Sequence, residues 1–524
     1  MDAHGDDGRN ARRKFLTRSA TLVAAGVALP ALPVLARKLS GEAAVASAGM
    51  ATANPLRRAN VHGSDRFLAI QNMRLAVKTM LALPPEDPRN WYRQAMIHVL
   101  DCPHGNAWFF PWHRGYLYWF ERIVRKLSFN PAFVLPYWDW TSAPDMPPSF
   151  FGEFQGDQLD IESPGYIHDF PTFDRTFRRP MEAFWGSLTQ NRRRQLELRG
   201  MANFEAFWAV VQDYFNRGTR RQLSFFNRQL TGDALEAVSR TTLVNALAPT
   251  DFNEFGGSLI AYHSGMDGEP GMVEAQPHNL VHRAIGGYMG NFIAASDPMF
   301  WLHHANVDRL WDVWMERQGL VAQNGPPAWR NEPFLFFCDE DGRAIDGTAG
   351  DYVSSSGLGY SFEATAPIAT APSRPPNAAW AARFPCQLQS TNLAINGSVT
   401  ASVEPGKAAS DAFAENCQTA ILIDLDRPQD EQAWRFKVEI KVDNSSFSSK
   451  HGGYTAFFGS MGAEGSSMRH RGQLKIGIAN GMSQCLAESG NGPHRFTVTV
   501  RAERVGNGSP TEVLKVYGVT LISV

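Results

Sequence analysis

Apolar positions at helical spacing occupy residues 64–128 on either side of a proline-rich turn, Leu83-Pro-Pro-Glu-Asp-Pro88, and residues 278–316 carry two more helices of the same kind. Four helices with inward apolar faces predict an α-bundle. Residues 141–260 add amphipathic stretches broken by Pro/Gly loops, expected to wall that bundle. After Tyr360 the pattern changes: Ala364-Thr-Ala-Pro-Ile-Ala-Thr-Ala-Pro-Ser-Arg-Pro-Pro-Asn377 has no apolar periodicity and reads as a linker. Beyond it, Ala420-Ile-Leu-Ile-Asp-Leu425, Phe436-Lys-Val-Glu-Ile-Lys-Val442, Gln473-Leu-Lys-Ile-Gly-Ile478 and Phe496-Thr-Val-Thr-Val-Arg501 are short runs of strand character, several of them alternating. With Gly/Asn/Ser turns between them, they predict an antiparallel β-sandwich of about 140 residues. The expected fold class is therefore a mainly α domain, a four-helix bundle, followed by an all-β sandwich. Its boundaries are a leader over 1–48, the α domain over 49–362, the linker over 363–385 and the sandwich over 386–524.

The α region carries two histidine triplets. The first is His98, His104 and His113, where His113, Leu117 and Glu121 recur every four residues on one helical face. The second opens with His278-Asn-Leu-Val-His282, whose four-residue step stacks both imidazoles on one face. It closes in Asp297-Pro-Met-Phe300-Trp-Leu-His303-His304-Ala-Asn306-Val-Asp308, in which Phe300, His304 and Asp308 share a face. Helical geometry turns His303 about 100° from its neighbour, so His304 alone is read as the ligand. Imidazole suits zinc, copper, iron and nickel. A diiron bundle would recruit glutamates, and a zinc protease would place glutamate where this chain has Asn279. A pair of copper ions, with positions open for dioxygen, fits best, and zinc is the competitor.

These segments resemble the type-3 copper family of tyrosinases, catechol oxidases and haemocyanins. The likeness rests on His104 to Glu121 through Phe109-Phe-Pro-Trp-His113-Arg114, and on Asp297-Pro to Asp308 through His304. It is nearer to plant-type polyphenol oxidases, through Leu83-Pro-Pro-Glu-Asp-Pro-Arg-Asn-Trp91, Met289-Gly-Asn-Phe292, Leu358-Gly-Tyr360-Ser-Phe362 and the β-rich region opening near Arg435-Phe-Lys-Val438. It spans roughly residues 55–524, loosely over 150–255.

The resemblance implies a dinuclear copper site on His98, His104, His113, His278, His282 and His304, with dioxygen as co-substrate. Monophenols would be hydroxylated and o-diphenols oxidised to o-quinones. Phenolic small molecules are then the expected partners, with an activating protease and a copper chaperone. Cys102, two residues before His104, is expected to form a thioether to that ring, the alternative being a buried free thiol. Glu274 and Asn279 are expected to hold a proton-accepting water, with Glu269 as the fallback base and a helical cap as the other reading of Asn279. Phe292 corresponds to an aromatic gate over the first copper, or to core packing. Arg283 would stand at the substrate entrance or in solvent. Asp308 would orient a ligand ring or pair with an arginine. The sandwich is expected to shield the site, with Phe457 or Phe458 of Gly452-Gly-Tyr-Thr-Ala-Phe457-Phe458 as its plug, or with both packed under the sheet.

With 524 residues the chain has ample length for two domains. Its net charge of −2 with scattered basic residues argues against nucleic acid or an anionic membrane as partner. Arg12-Arg13-Lys14-Phe15-Leu16 before the apolar run from Ala20 to Ala36 reads as a twin-arginine signal, cut after Ala36 or Ala48, so the expected location is secreted or periplasmic. Five cysteines are too few for a dense disulfide framework. The competing functions are a catechol or o-aminophenol oxidase without monophenol activity, a dioxygen carrier of haemocyanin type, and a zinc hydrolase.

Overall fold

In the computed structural model of the chain, the described residues are 56–64, 66–318, 326–363, 382–405, 419–428, 433–443, 453–458, 471–478, 494–505 and 512–523. The leader over 1–48, most of the linker (364–381), Cys417 and Cys485 lie outside them. The elements that build the histidine core are α1 (Phe67–Ala82), α2 (Trp91–Asp101), α3 (Phe109–Leu127), α4 (Phe170–Ser187), α5 (Asn279–Ile285) and α6 (Met299–Arg317); α1 and α4 carry no histidine and serve as walls. The proline-rich turn ends at Asn90, whose side chain accepts from the Tyr92 and Arg93 amides and so starts α2. Every residue of α2 is buried. Such a helix shows no polar face, because it is enclosed on all sides.

Helix α3 packs against both α1 and α6, and a buried ionic cluster fastens them. Arg58, in the strand β1 (Leu56–Arg58), donates to Glu121 of α3 and Asp308 of α6, each at 2.9 Å. Arg114 of α3 reaches the other oxygen of Asp308 at 2.6 Å. Parallel pairing of β1 with β2 (Tyr360–Phe362) brings the Tyr360 ring to 3.9 Å from the Arg58 guanidinium.

The C-terminal region is the expected sandwich. Its strands are β3 (Ala382–Pro385), β4 (Gln387–Leu388), β5 (Asn392–Ala394), β6 (Ser398–Val403), β7 (Thr419–Asp426), β8 (Trp434–Val442), β9 (Gly453–Thr455), β10 (Arg471–Ile478), β11 (Phe496–Arg504) and β12 (Val513–Ser523). One sheet runs β9-β8-β11-β6-β4 and the other β10-β7-β12-β3, with β5 also on β12. Strand β3 falls where the sequence placed the end of the linker, so the sheet starts earlier than expected: Thr520 and Leu521 of β12 stand opposite Pro385 and Phe384.

Period-two burial places Phe436, Val438, Ile440 and Val442 of β8 inward, opposite Ala502, Val500, Val498 and Phe496 of β11. In β7 the alternation disappears for a physical reason. Ile421, Ile423 and Leu425 fill the sandwich core, whereas Ala420 and Leu422 on the other face join the core of the α domain. A strand buried on both faces reads as a continuous apolar run. This sheet therefore lies directly on the helical domain.

Candidate metal centre

Seven of the imidazoles gather in the bundle core in two groups. In each, the potential ligand atoms lie within 4.8 Å of one another: His98, Cys102, His104 and His113 in the first, His278, His282, His303 and His304 in the second. The groups adjoin, since the His113 and His304 rings stack with centroids 4.1 Å apart and planes 7° from parallel.

Five of the rings are held by one nitrogen so that the other faces inward. His98 Nδ1 contacts the Phe292 carbonyl at 2.8 Å, His113 Nδ1 the Phe109 carbonyl at 2.7 Å and His282 Nδ1 the Met289 carbonyl at 2.8 Å. These acceptors require Nδ1 to carry the proton, which leaves Nε2 as a lone pair. His278 Nδ1 meets Asn279 Oδ1 at 2.8 Å, and His104 Nδ1 meets Glu274 Oε1 at 3.0 Å. The Nε2 atoms of His278 and His282 then approach His304 Nε2 at 3.3 and 3.1 Å. His98 Nε2 and His104 Nε2 are buried with no hydrogen-bond partner. Burial drives the imidazoles to the neutral form, His98 and His278 to about 3 and the others well below 6.5. Oriented, neutral nitrogens that face one another in two adjoining sets fit a pair of imidazole-bound transition-metal ions such as copper.

Local structure explains the placement. His104 sits in the turn between α2 and α3, where Gly105 adopts φ +68°, a conformation that favours glycine. Its amide donates to Glu274 Oε1 at 2.7 Å, so one carboxylate fixes both the ring and the backbone of the turn. Glu274 begins a single π-helical turn, Glu274–His278, that leads into α5, and such turns cluster at functional sites. Burial pushes the Glu274 carboxyl up to about 8. Behind the first group, Asp101 accepts from Trp112 Nε1 at 2.8 Å and from His263 Nε2 at 2.9 Å, bracing the end of α2 against the start of α3. His263 Nδ1 meets Glu332 at 2.6 Å. No sequence motif announces this brace; only the fold brings His263 and Glu332 together.

His303, set aside on helical spacing, borders the second group: its ring lies 4.7 Å from His282 and 5.2 Å from His278. Trp140 Nε1 donates to its Nδ1 at 3.1 Å, and its Nε2 is buried without a partner. Asp308 requires a correction. It contacts no ligand ring and instead accepts from Arg58, Arg114 and the Tyr360 hydroxyl, because two buried guanidiniums converge on it from α3 and β1. Arg283 is not at an open entrance; its guanidinium donates to the Trp434 carbonyl of β8. Glu269 pairs with Arg383 of β3 at 2.7 Å, at the contact between domains. Cys102 is a buried free thiol here, with Sγ 3.3 Å from His113 Nε2.

The adjacent phenylalanines part company. Phe457 packs into the sandwich core beside Phe436. Phe458 points the other way and enters the histidine cluster, with ring centroids 4.4 Å from His282, 4.5 Å from His104, 5.5 Å from His278 and 6.0 Å from His98. Phe292 lies beside it at 5.2 Å and 5.6 Å from His98, fully buried. The loop bearing Phe458 is tied down where Asn279 Nδ2 donates to the Ala456 carbonyl at 2.9 Å. Nearby, Gly477 N donates to Gln276 at 3.0 Å, and the buried Lys475 ammonium pairs with Glu254, which Arg383 also reaches at 2.7 Å.

Comparison with known proteins places this site in a family. Residues 59–317 match the common central domain of tyrosinase. The chain is 28% identical over 336 residues to the chloroplastic polyphenol oxidase II of Ipomoea batatas, covering 59% of this chain and 49% of that one. It is 32% identical over 337 residues to a tyrosinase of Hahella sp. (strain CCB-MM4), covering 57% and 62%. The chain thus spans about half the length of the first of these relatives. Among solved structures, latent apple tyrosinase superposes with a TM-score of 0.56 at 20% identity, covering 91% of this chain and 98% of that one. A latent aurone synthase superposes at 0.59 and 23% identity, covering 90% and 89%. At these identities the structures establish the two-domain fold. Residues 59–317 belong to the tyrosinase family, as its common central domain.

Proposed function

We propose that the chain is a copper-dependent phenol oxidase that uses dioxygen to hydroxylate monophenols and to oxidise o-diphenols to o-quinones, and that it is latent while the sandwich covers the site. The observation that carries this reading is the pair of adjoining imidazole sets with their Nε2 lone pairs turned inward. His98, His104 and His113 would hold one copper ion, and His278, His282 and His304 the other. When bound, the two ions supply the four-electron reduction of dioxygen to water, so two o-diphenols yield two quinones and two waters.

The protein's share is to orient the rings, exclude water and move a proton. Phenols ionise near pH 10 in water, so a phenol needs an acceptor before it can bind as phenolate. Glu274 and Asn279 border a cavity of about 20 Å³ beside His104 and Phe458, room for about one water. A water held there would take the phenolic proton, and this supports the monophenol reaction over a pure catechol oxidase. The Cys102 thiol, within 4.8 Å of His104, would form the thioether that stiffens the irregular turn, its S–H and a ring C–H of His104 giving up two electrons and two protons to dioxygen, which leaves as hydrogen peroxide. Phe458 fills the space in which a phenol ring would stand over the histidines, and Phe292 would border that space once Phe458 leaves. Among the described residues no helix is long and apolar enough to cross a membrane; export by the twin-arginine route belongs to this same proposal.

The test is oxygen uptake with tyrosine and with catechol, before and after proteolysis of the linker. Both rates should be low in the intact chain and rise together on cleavage. Catechol turnover without tyrosine turnover would make the chain a catechol oxidase. No turnover of either would overturn the reading.

A further inference from the structure

A separate cavity of about 240 Å³ lies against the opposite flank of α2. Arg93, Met96, Ile97 and Leu100 line it, a single stripe at helical spacing three and four, while His98 stands on another face of the same helix. Phe184, near the end of α4, and Cys338 form the facing walls. Ser187 and Ala344 also border the cavity and are exposed, so it has a mouth.

Arg93 is the anomaly in this apolar space. It is 8% exposed, and among the described residues its guanidinium donates to no acceptor; its partner is the Phe184 ring at 4.7 Å. Arg58 and Arg114, equally deep, each contact two carboxylates, and Arg199, which also reaches no carboxylate, at least donates to the Val99 carbonyl at 3.0 Å. Asp87 is held by Arg89, and Arg192, at the same cavity, is held by Asp346 and the Leu335 carbonyl. Burial lowers Arg93 to about 10, which leaves it charged at neutral pH. Burial pushes the Cys338 thiol up to about 12, so the wall supplies no thiolate counter-charge. Glu86 and Asp87 act on this charge from a distance without hydrogen-bonding it, and a buried cation with no bonded counter-charge is costly unless a partner arrives.

We infer that this cavity binds an amphiphilic monocarboxylate, an aryl- or alkylcarboxylate whose head is clasped by Arg93 and whose apolar body lies between Met96, Ile97 and Phe184. The guanidinium fork matches a carboxylate in two parallel hydrogen bonds. With Arg192 already paired, one cation suits a monoanion better than a phosphate dianion. The site is distinct from the imidazole cluster and does not depend on the oxidase reading.

The experiment is isothermal titration of the purified full chain with octanoate and 3-phenylpropanoate, alongside octanol and 3-phenylpropanol. The acids should bind with a stoichiometry of one, at least tenfold more tightly than the alcohols, and should raise the melting temperature with concentration. Arg93→Met should weaken the acids at least tenfold and leave the alcohols unchanged. Ser187→Trp, an exposed change at the mouth, should weaken all four ligands and keeps the test valid if the buried substitution fails to fold. Equal affinity for acids and alcohols in the parent would overturn the inference. So would acid binding undiminished in Arg93→Met, which would place the carboxylate on the metal centre instead.

Discussion

The Phe458 ring lies against the His104 imidazole with centroids 4.5 Å apart and planes 30° from parallel, so a side chain from the sandwich stacks on a ring of the helical core. Replacing it should open the site without cutting the chain. A buried phenyl ring contributes roughly 2 kcal/mol, which corresponds to about a thirty-fold shift between closed and open forms. Phe458→Ala should therefore raise catechol oxidation by the uncut chain about tenfold or more. Phe457→Ala, which empties part of the sandwich core, should instead lower the stability of that domain by roughly 3 kcal/mol, read as a lower melting temperature. Unchanged activity in Phe458→Ala would place the plug elsewhere.

Asn279 has two ties, to His278 through Oδ1 and to the Ala456 carbonyl through Nδ2. Its replacement would disturb both proton transfer and docking of the sandwich, so the base assignment must be tested in linker-cleaved protein. There, Asn279→Gly should depress tyrosine hydroxylation at least about tenfold more than catechol oxidation, a difference of about 1.4 kcal/mol in barrier. Equal losses would remove Asn279 from the proton path.

Contact between the domains should weaken in acid. Burial raises the Glu254 carboxyl, but Lys475 and Arg383 outweigh it and hold the group below 4.5. A depressed carboxyl stabilises docking above its free value and loses that contribution as pH falls through the bound value. Activity of the uncut chain, assayed at neutral pH after brief acid exposure, should rise as exposure drops below pH 4.5. Lys475→Met should move that rise to higher pH, since Glu254 then loses a buried counter-charge. An acid response identical in the variant would detach docking from this ion pair.

His263 gives the opposite sign. Burial disfavours its imidazolium, yet Asp101 and Glu332 on either side prevail and raise it from 6.5 to about 9. A raised histidine stabilises fully below pH 6.5 and loses that contribution as pH climbs through 9, a term on the order of 3 kcal/mol. The melting temperature should fall between pH 6.5 and 9, and His263→Gln should flatten the decline. A parent chain equally stable at both ends of that window would contradict the assignment.

What could be read from the sequence was local. The four-residue steps from His278 to His282 and from Phe300 to His304 survive folding as ring contacts of 4.5 and 4.3 Å, because helical spacing alone sets them. The unalternating run in β7 held real information about two-sided burial, legible only once a second surface was known to press on the sheet. Asp308 misled because helical phase gives a direction but not the neighbour waiting there, and Arg58 arrives from 250 positions away. His303 does turn from His304, as its helical phase requires, and what the phase does not show is that the rings of His278 and His282 approach α6 from that side too. At Phe457 and Phe458 the strand had ended at Thr455, so alternation no longer told which ring faced which domain.

The central claim is that two sets of imidazoles hold a pair of copper ions, and metal analysis of the folded full-length chain tests it most directly. The account predicts two copper ions per chain, with stoichiometry lost when His98→Ala and His282→Ala are combined. Zinc in place of copper, or one ion per chain, would contradict it.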